Sequence, residues 1–316
     1  MTTRSGDNEL TAKLAENFNE FYFQLTGPGP RQIGNYKITA ELGEGAFGKV
    51  YLAQHTLLNV QVVLKCGPID DPNIVREIFY HRQLKHKHVV KLYEIIKTEQ
   101  HLWMVLEYCE GNELYFYIYE KRRLELSVVQ SLFYQIVCAV QYVHLHNLCH
   151  RDLKLENILL ADHRRTVVKL TDFGMVREFS PLKRNLLSTV CGTTVYMAPE
   201  MLQHEKYLGF LVDMWLLGVI LYTMVYGELP FDEDDLEQTL FRIVYQEPIY
   251  RAGVAPQAVD LIKRLLTKDP KSRATLSEVL NSPFLIDIHN QHLDGRKSRK
   301  RLSRSGSSQN SPSLKE

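Results

Sequence analysis

The chain reads HRDLKLEN over residues 150–157 and Asp-Phe-Gly over residues 172–174. These two motifs combine the acidic, basic and amide side chains that a phosphoryl-transfer centre requires. Asp152 can accept a proton from an attacking hydroxyl, and Lys154 can neutralise charge on the phosphoryl group during transfer. A His-Arg-Asp triplet alone is weak evidence, because a chain of 316 residues can contain one by chance. The interpretation therefore depends on the rest of the chain.

Asn157 and Asp172 are candidate ligands of a hard cation. Their amide and carboxylate oxygens suit Mg²⁺, which is commonly bound through one or two protein groups together with phosphate oxygens. The sequence therefore predicts a magnesium site that includes both residues.

A glycine-rich motif lies closer to the N-terminus. Residues 43–50 read GEGAFGKV, which is the pattern G-x-G-x-x-G-x-V. Glycines let the backbone approach phosphates closely, with main-chain N–H groups as donors. The same glycine spacing occurs in dinucleotide-binding folds, where a helix follows at once, but residues 49–53 continue as a strand pattern. We therefore predict a phosphate-binding β-hairpin.

A strand and a helix are predicted next. The strand pattern Gln61–Lys65 ends in a lysine. Asp71 and Pro72 then form a helix start, an N-cap residue followed by proline in the first turn. This helix is expected to run to about Lys85 and carries Glu77.

In this order, the features resemble the catalytic core of eukaryotic protein kinases. The resemblance covers Tyr36 to Leu285, and it implies an α+β bilobal fold with a small antiparallel-sheet N-lobe, one main helix there, and a larger, mainly helical C-lobe. The LPFD run at residues 229–232 and the loop at 150–157 look most like the AMP-activated-kinase-like branch of the calcium/calmodulin-dependent kinase group.

The resemblance also implies a division of the chain: extension 1–33, kinase domain 34–288 (N-lobe 34–106, hinge 107–112, C-lobe 113–288) and tail 289–316. Apolar residues at 10, 14, 18, 21 and 25 predict an amphipathic helix in the extension, with an unstructured leader as the open alternative. Residues 293–316 hold seven Lys and Arg against two acidic residues, so we expect a basic, disordered tail.

The family match implies Mg-ATP as the phosphoryl donor. It assigns nucleotide contacts to Leu42, Gly43, Glu44, Gly45, Ala46, Phe47, Gly48, Val50, Val63, Lys65, Glu107, Cys109, Glu113 and Leu159. It assigns catalytic roles to Lys65, Glu77, Asp152, Lys154, Asn157 and Asp172, with Asn157 and Asp172 as the metal ligands. Lys65 is expected to pair with the α- and β-phosphates and with Glu77.

Two local patterns imply serine/threonine specificity. Lysine follows the Asp-Leu pair of the catalytic loop, and residues 191–200 resemble a serine/threonine platform in which Thr193 bonds near Asp152. Glu113 and Glu156 match acidic positions that read a basic residue three before the phosphoacceptor. Thr223 stands where kinases that demand a second arginine have glutamate.

Residues 172–200 form the expected activation loop. Thr189 occupies the position phosphorylated in many relatives, and Arg151 and Arg177 are the expected clamp for its phosphate. Ser188 is the rival site, and Thr189 as an ordinary loop residue is the remaining alternative.

Composition limits the partners. The 38 Lys and Arg nearly balance the 37 Asp and Glu, so nothing indicates nucleic acid. No run of eighteen apolar residues occurs, so we expect no membrane insertion. Five cysteines without a C-x-x-C pair favour reduced thiols in a cytoplasmic protein, with a nuclear location as the open alternative.

The expected partners are protein substrates and an upstream activating kinase, and the oligomeric state is left open. The alternative to an active kinase is a pseudokinase that acts as a nucleotide-binding scaffold. Val63, where the family usually has alanine, and His81, where it usually has an apolar residue, are the reasons to keep that alternative.

Overall fold

The computed structural model describes residues 32–45, 48–179, 186–189 and 192–294. The chain divides into two compact units. The first contains the residues up to Ile78 together with Leu92–Tyr108, and the second contains Phe79–Lys91 together with the chain from Cys109 onward. The predicted N-terminal helix and the residues Ala46, Phe47, 180–185, Val190 and Cys191 lie outside the described residues.

The first unit is built on one antiparallel sheet of six strands in the order β1-β2-β3-β4-β6-β5. The strands are β1 Gln32–Ile33, β2 Tyr36–Gly45, β3 Gly48–His55, β4 Gln61–Pro68, β5 Leu92–Lys97 and β6 His101–Glu107.

The glycine motif forms the predicted hairpin. β2 pairs with β3 up to Gly45 opposite Gly48, and β3 continues as a strand rather than a helix. Gly48 has φ +139°, and a Cβ there would lie 1.7 Å from the carbonyl oxygen of Cys66. Only glycine fits this close to the neighbouring strand β4, and the pairing of β2 with β3 confirms the hairpin.

One face of the sheet carries the apolar cluster of the first unit. Tyr51 and Val105 lie opposite Leu64, and Trp103 lies opposite Cys66. Cross-strand partners share a face, so these residues pack together and are all buried. Burial of this face stabilises the sheet through its apolar area.

Helix α1, Pro72–His81, crosses from the first unit into the second. As predicted, Asp71 begins it, because its Oδ1 accepts a hydrogen bond from the backbone N–H of Asn73 at 2.8 Å. The helix ends at His81, earlier than the expected Lys85. There the N–H of Leu84 bonds to the carbonyl of His81 at 3.0 Å, a bond across three residues that turns the chain out of the helix.

The second unit is mainly helical. Its helices include α2 Leu114–Lys121, α3 Leu126–Leu145, α4 Pro199–Leu202, α5 Gly209–Tyr226, α6 Leu236–Tyr245, α7 Pro256–Leu265 and α8 Leu276–Leu280. Its short strands form two antiparallel pairs, β7 Leu148–Cys149 with β10 Arg177–Glu178, and β8 Ile158–Leu160 with β9 Val168–Leu170.

Helices α3 and α5 form the centre of this unit. Both helices are long and apolar enough to cross a membrane, but 56% of the apolar stretch of α3 and 83% of that of α5 are buried inside the protein. Core helices of a folded domain have this composition, because they are covered by other elements on most sides. Their apolar character is therefore explained by packing.

Helical structure continues past the predicted start of the C-terminal tail. Residues 286–294 are helical, although the disordered tail was expected from residue 289. The ring of His292 stacks on Tyr134 of α3 with centroids 4.8 Å apart, and His289 lies 5.9 Å from the same ring. These ring contacts order residues that polar composition alone assigned to the tail. Residues 295–316 lie outside the described residues.

Candidate functional site

The segment His150–Asn157 is held by one buried carboxylate on α5. Oδ2 of Asp213 accepts hydrogen bonds from the backbone N–H of His150 at 2.9 Å and from Nε2 of His144 at 2.8 Å. Oδ1 accepts from the backbone N–H of Arg151 at 2.7 Å. Arg151 has φ +68°, a left-handed conformation that costs a residue with a side chain ~1–3 kcal/mol. The three convergent donors hold this turn in place.

The side chains that follow this turn converge on Asp152. Nδ2 of Asn157 donates to Oδ2 of Asp152 at 3.0 Å and to its carbonyl at 2.8 Å. Nζ of Lys154 lies 3.2 Å from the same Oδ2 and donates to Oγ1 of Thr193 at 3.1 Å. Gly192, with φ +102°, lets the chain pass close to this carboxylate, since a Cβ there would lie 3.3 Å from Oδ1. A carboxylate, an ammonium group, an amide and a hydroxyl are thus brought together.

The oxygens of Asn157 and Asp172 fit a magnesium ion. The amide nitrogen of Asn157 points at Asp152, so the amide oxygen faces the other way. Asp172 has φ +62°, and its Oδ1 accepts a hydrogen bond from the N–H of Gly174 at 3.4 Å. An amide and a carboxylate oxygen are hard ligands of the kind that Mg²⁺ uses with phosphates.

The first unit contains a buried ion pair. Nζ of Lys65 on β4 lies 2.8 Å from Oε1 and 2.7 Å from Oε2 of Glu77 on α1. The side chain of Glu77 is 1% exposed, so the partner charge offsets much of the cost of burying it. Sequence reasoning predicted this pair.

Comparison with known proteins agrees with this geometry. A family model described as a protein kinase domain matches residues 36–285. The chain belongs to the protein kinase family. The antiparallel-sheet unit with one helix and the mainly helical unit are the α+β kinase fold that was predicted.

Relatives of this kinase domain include protein kinases of yeasts. It is 50% identical over 279 residues to the Saccharomyces cerevisiae protein YPL150W, whose name describes a serine/threonine-protein kinase, with 88% of this chain and 30% of that protein covered. It is 40% identical over 267 residues to the carbon catabolite-derepressing protein kinase of the same yeast (81% and 41% covered). It is 39% identical over 264 residues to the SNF1-like protein kinase ssp2 of Schizosaccharomyces pombe (80% and 44% covered).

The chain spans less than half the length of these relatives. Their names confirm the resemblance to the AMP-activated-kinase-like branch.

Three of the predicted nucleotide residues of the first unit, Val50, Val63 and Lys65, share one face of its sheet. Lys65 lies opposite Val50 and Met104, and Val63 lies opposite Leu106. This face is the reverse of the one that carries the apolar cluster. Leu42 and Glu44 are exposed on β2, whereas Ala46 and Phe47 lie outside the described residues.

The remaining predicted nucleotide residues follow β6 in the chain. Glu107 ends β6 and Cys109 is buried. Glu113 is the N-cap residue of α2, and it pairs with Leu159 of β8 through an isolated antiparallel bridge. The kinase domain thus places Glu113 and Leu159 side by side.

Glu113 and Glu156 form the predicted acidic pair of the second unit. Burial raises the pKa of Glu113, and the negative charge of Glu156 raises it further, while Lys154 opposes the shift. Two carboxylates that influence each other in this way favour a cation between them.

The predicted activation site has its own local contacts. Thr189 is exposed, and its carbonyl accepts a hydrogen bond from the hydroxyl of Tyr207 at 2.7 Å. Arg151 is 1% exposed, and Nη1 of Arg177 on β10 donates to the carbonyl of Val176 at 2.9 Å. The phosphate clamp remains a prediction.

His81 packs as an aromatic core residue. It is 1% exposed, its Nε2 donates to the carbonyl of Val90 at 2.7 Å, and its ring lies 4.7 Å from the ring of Phe173. The ring of His150 lies 5.2 Å from the same phenyl ring. The unusual histidine is thus accommodated by a hydrogen bond within the stack.

Sequence reasoning missed one group of residues. A cleft in the second unit is lined by Glu228 and Asp232 as well as by Glu156 and Thr193. The acid-rich run at residues 228–235 was the available signal, but it was used only as a family marker.

Proposed function

We propose that this chain contains the catalytic domain of an active serine/threonine protein kinase, which transfers the γ-phosphoryl group of Mg-ATP to protein substrates. The observation that carries this proposal is the group around Asp152, where Lys154, Asn157 and Thr193 meet one carboxylate. Every residue type that phosphoryl transfer needs is present there.

Asp152 receives and orients the substrate hydroxyl in this proposal. Its carboxylate is held by Asn157 and Lys154, so the second oxygen can face an incoming Ser or Thr. Lys154 also neutralises charge that develops on the phosphoryl oxygens. Positioning and charge, rather than covalent chemistry, are what the protein contributes.

Asn157 and Asp172 would hold Mg²⁺ through their amide and carboxylate oxygens. When bound, the ion neutralises the phosphate charges of the nucleotide. In the first unit, Lys65 would bind the α- and β-phosphates, and its pair with Glu77 keeps the ammonium group in place.

Substrate selection is assigned to two features of the second unit. The hydrogen bond from Lys154 to Thr193 supports a serine/threonine site. Glu113 and Glu156 would bind a basic residue three before the acceptor, because a cation offsets the burial and the negative charge of Glu156 that raise the pKa of Glu113.

Phosphorylation of Thr189 is the proposed activating step. Its exposure allows an upstream kinase to reach it. A phosphate there adds close to two negative charges, which Arg151 and Arg177 would bind. We expect Thr189→Ala to lower turnover, measured on one peptide before and after treatment with an upstream kinase; unchanged turnover contradicts this step.

The test of the catalytic proposal is phosphate transfer from Mg-ATP by the purified chain onto arrayed Ser, Thr and Tyr peptides, beside Asp172→Ala. We expect transfer to Ser and Thr peptides with arginine three before the acceptor, and its loss in the variant. An array without that arginine preference contradicts the assigned specificity. No transfer even with Thr189 phosphorylated favours the scaffold alternative.

A further inference from the structure

The turn between β3 and β4 presents apolar side chains to solvent. Residues 56–60 read TLLNV, and Leu57, Leu58 and Val60 are 79%, 69% and 50% exposed. Leu57 is the most exposed large apolar side chain among the residues that the structure describes. Single exposed apolar residues are ordinary, but three within four positions form a patch that a partner can cover. Together these three side chains form the apolar tip of the first unit.

The backbone of the apolar tip is fixed by its own hydrogen bonds. The N–H groups of Leu57 and Leu58 donate to Nδ1 of His55, each at 3.2 Å. The N–H of Asn59 donates to the carbonyl of His55 at 2.9 Å, and the N–H of His55 donates to the carbonyl of Val60 at 2.9 Å. The closed turn therefore holds the leucines outward, and a partner that covers them does not have to order this backbone.

The N-terminal extension joins the sheet beside this tip. The N–H of Thr56 donates to the carbonyl of Asn35 at 2.8 Å, and Asn35 lies three residues after Gln32, where the described residues begin. The pairing of Tyr36 with His55 places the turn between β1 and β2 at the same end of the sheet as the tip. Three residues span at most about 11 Å, so the extension starts close to the tip.

The extension is long enough to reach the tip. Residues 1–31 lie outside the described residues. Leu25, the last residue of the apolar stripe predicted from the sequence, precedes Gln32 by seven positions, which span at most about 25 Å. Residues 27–30 read GPGP, a pattern that ends a helix and turns the chain. A helix that ends near Leu25 can therefore fold back onto the tip.

The predicted helix of the extension has one narrow apolar face. At about 100° per residue, its five large apolar residues fall within an arc of about 80°; they are Leu10, Leu14, Phe18, Phe21 and Leu25. Its charged residues lie about 100° or more from the centre of that arc; they are Glu9, Lys13, Glu16 and Glu20. Residues 7–26 contain neither glycine nor proline, so no residue in this stretch interrupts a helix.

The composition of the tip favours this apolar face over a charged partner. Residues 54–61 read QHTLLNVQ and contain no Asp, Glu, Lys or Arg. A nucleic acid or an acidic lipid surface would require basic residues there. The apolar face of the helix would leave water on binding, whereas its charged face would stay in water.

We propose that residues 10–25 form a helix whose apolar face packs on the apolar tip of the first unit, within the same chain. The hydrophobic effect stabilises this contact, and the short connection to β1 keeps the effective concentration of the helix at the tip high. The proposal does not rest on the proposed kinase function, because neither nucleotide nor phosphoryl transfer enters it.

Amide hydrogen exchange of the purified chain, measured by mass spectrometry, tests this contact. We expect residues 10–25 to exchange more slowly than an unfolded segment of the same sequence. In the double variant Leu57→Ser, Leu58→Ser, exchange in that segment should become about tenfold faster. This factor corresponds to about 1.4 kcal/mol, which the burial of one leucine can supply. Both leucines are exposed, so the sheet should keep its fold, and the exchange of the β4 amides verifies that.

The matched control is the double variant Leu145→Ser, Leu236→Ser, because these leucines of the second unit are 75% and 57% exposed. The slow exchange of residues 10–25 should be unchanged in that control. The reverse variant, Leu14→Ser with Phe18→Ser, should speed the exchange of residues 56–60, because a coupling between two sites is reciprocal.

The outcomes decide between this contact and other arrangements. Exchange of residues 10–25 at the rate of an unfolded segment in the unaltered chain overturns the proposal. Slow exchange that persists in the tip variant also overturns it, because another surface then holds the segment. Slow exchange that is lost on dilution, together with a dimer mass in light scattering, assigns the tip to a second copy and overturns the contact within one chain. Slow exchange that is independent of concentration and lost only in the two variants aimed at the contact supports it.

Discussion

Two buried ion pairs, one in each unit, differ in how their cations are satisfied. Arg273 in the second unit donates to both oxygens of Glu200, at 2.9 and 3.0 Å. Its other N–H groups donate to the carbonyls of Leu211, Thr267 and Lys268. Its side chain is 0% exposed.

Lys65 in the first unit meets Glu77 through a single ammonium group, and its side chain is 10% exposed. It lies on the sheet face that also carries Val50 and Val63. Arg273, enclosed among five acceptors, serves the fold, whereas we propose that Lys65, whose side chain is 10% exposed, serves a ligand.

The largest effect is expected from breaking the enclosed pair of Arg273 and Glu200. In Arg273→Lys the charge remains, but an ammonium group cannot reach five acceptors in the plane of a guanidinium fork. We expect the unfolding free energy to fall by about 3 kcal/mol, since at least two of the five acceptors lose their donors.

Denaturant unfolding measures this loss. The control is Arg264→Lys, whose pair with Glu278 is 39% and 49% exposed and should change stability by less than about 1 kcal/mol. Equal losses in the two variants would mean that enclosure does not distinguish the pairs.

Lys65→Arg tests the ion pair of the first unit, between Lys65 and Glu77. The positive charge opposite Glu77 is kept, so unfolding free energy should change little. Turnover should fall about 100-fold, because the proposed phosphate-binding group is displaced. Initial rates at saturating Mg-ATP measure it, beside the unfolding curve of the same sample. A large loss of unfolding free energy with normal turnover would mean that Lys65 stabilises the fold rather than binds the phosphates.

His88 is a buried histidine of the second unit, and one of its ring nitrogens has a hydrogen-bond partner. Its Nδ1 donates to the carbonyl of Val168 at 3.1 Å, while Nε2 is buried without a hydrogen-bond partner among the described residues. Burial lowers the pKa of His88 from 6.5 to about 4. The unfolded chain therefore binds a proton at His88 near pH 6.5, whereas the folded protein binds that proton only near pH 4.

Stability should therefore fall as pH falls from 6.5 to 4, with a slope from this group of at most about 1.4 kcal/mol per pH unit. His88→Asn keeps a donor toward Val168 and does not titrate, so its unfolding free energy should vary less over this window. Parallel pH curves for the two proteins would show that His88 does not contribute.

Much of the site could be predicted from sequence, because its motifs are local. Asp152, Lys154 and Asn157 lie within six residues of one another, so their order alone brings them close. The cap at Asp71 and the hairpin closed by Gly45 and Gly48 are also local, and both were predicted.

The errors arose where distant contacts decided the outcome. Helix α1 was expected to run to Lys85, but His81 bonds to Val90, and Val90 in turn bonds to Leu170. Residues 289–294 were assigned to the tail, but His292 stacks on Tyr134. Neither partner is visible in a local pattern.

By itself, the sequence determined the kinase family, the α+β fold and the residues expected to perform transfer, because these depend on residue types at short, fixed spacings. Only the tertiary structure brought Glu156 together with Glu228 and Asp232 in one cleft, and enclosed Arg273 among five acceptors. The physical reason is that burial and charge balance depend on which elements pack together: Glu156 lies more than 60 positions before Glu228 and Asp232, and Glu200 lies more than 60 positions before Arg273.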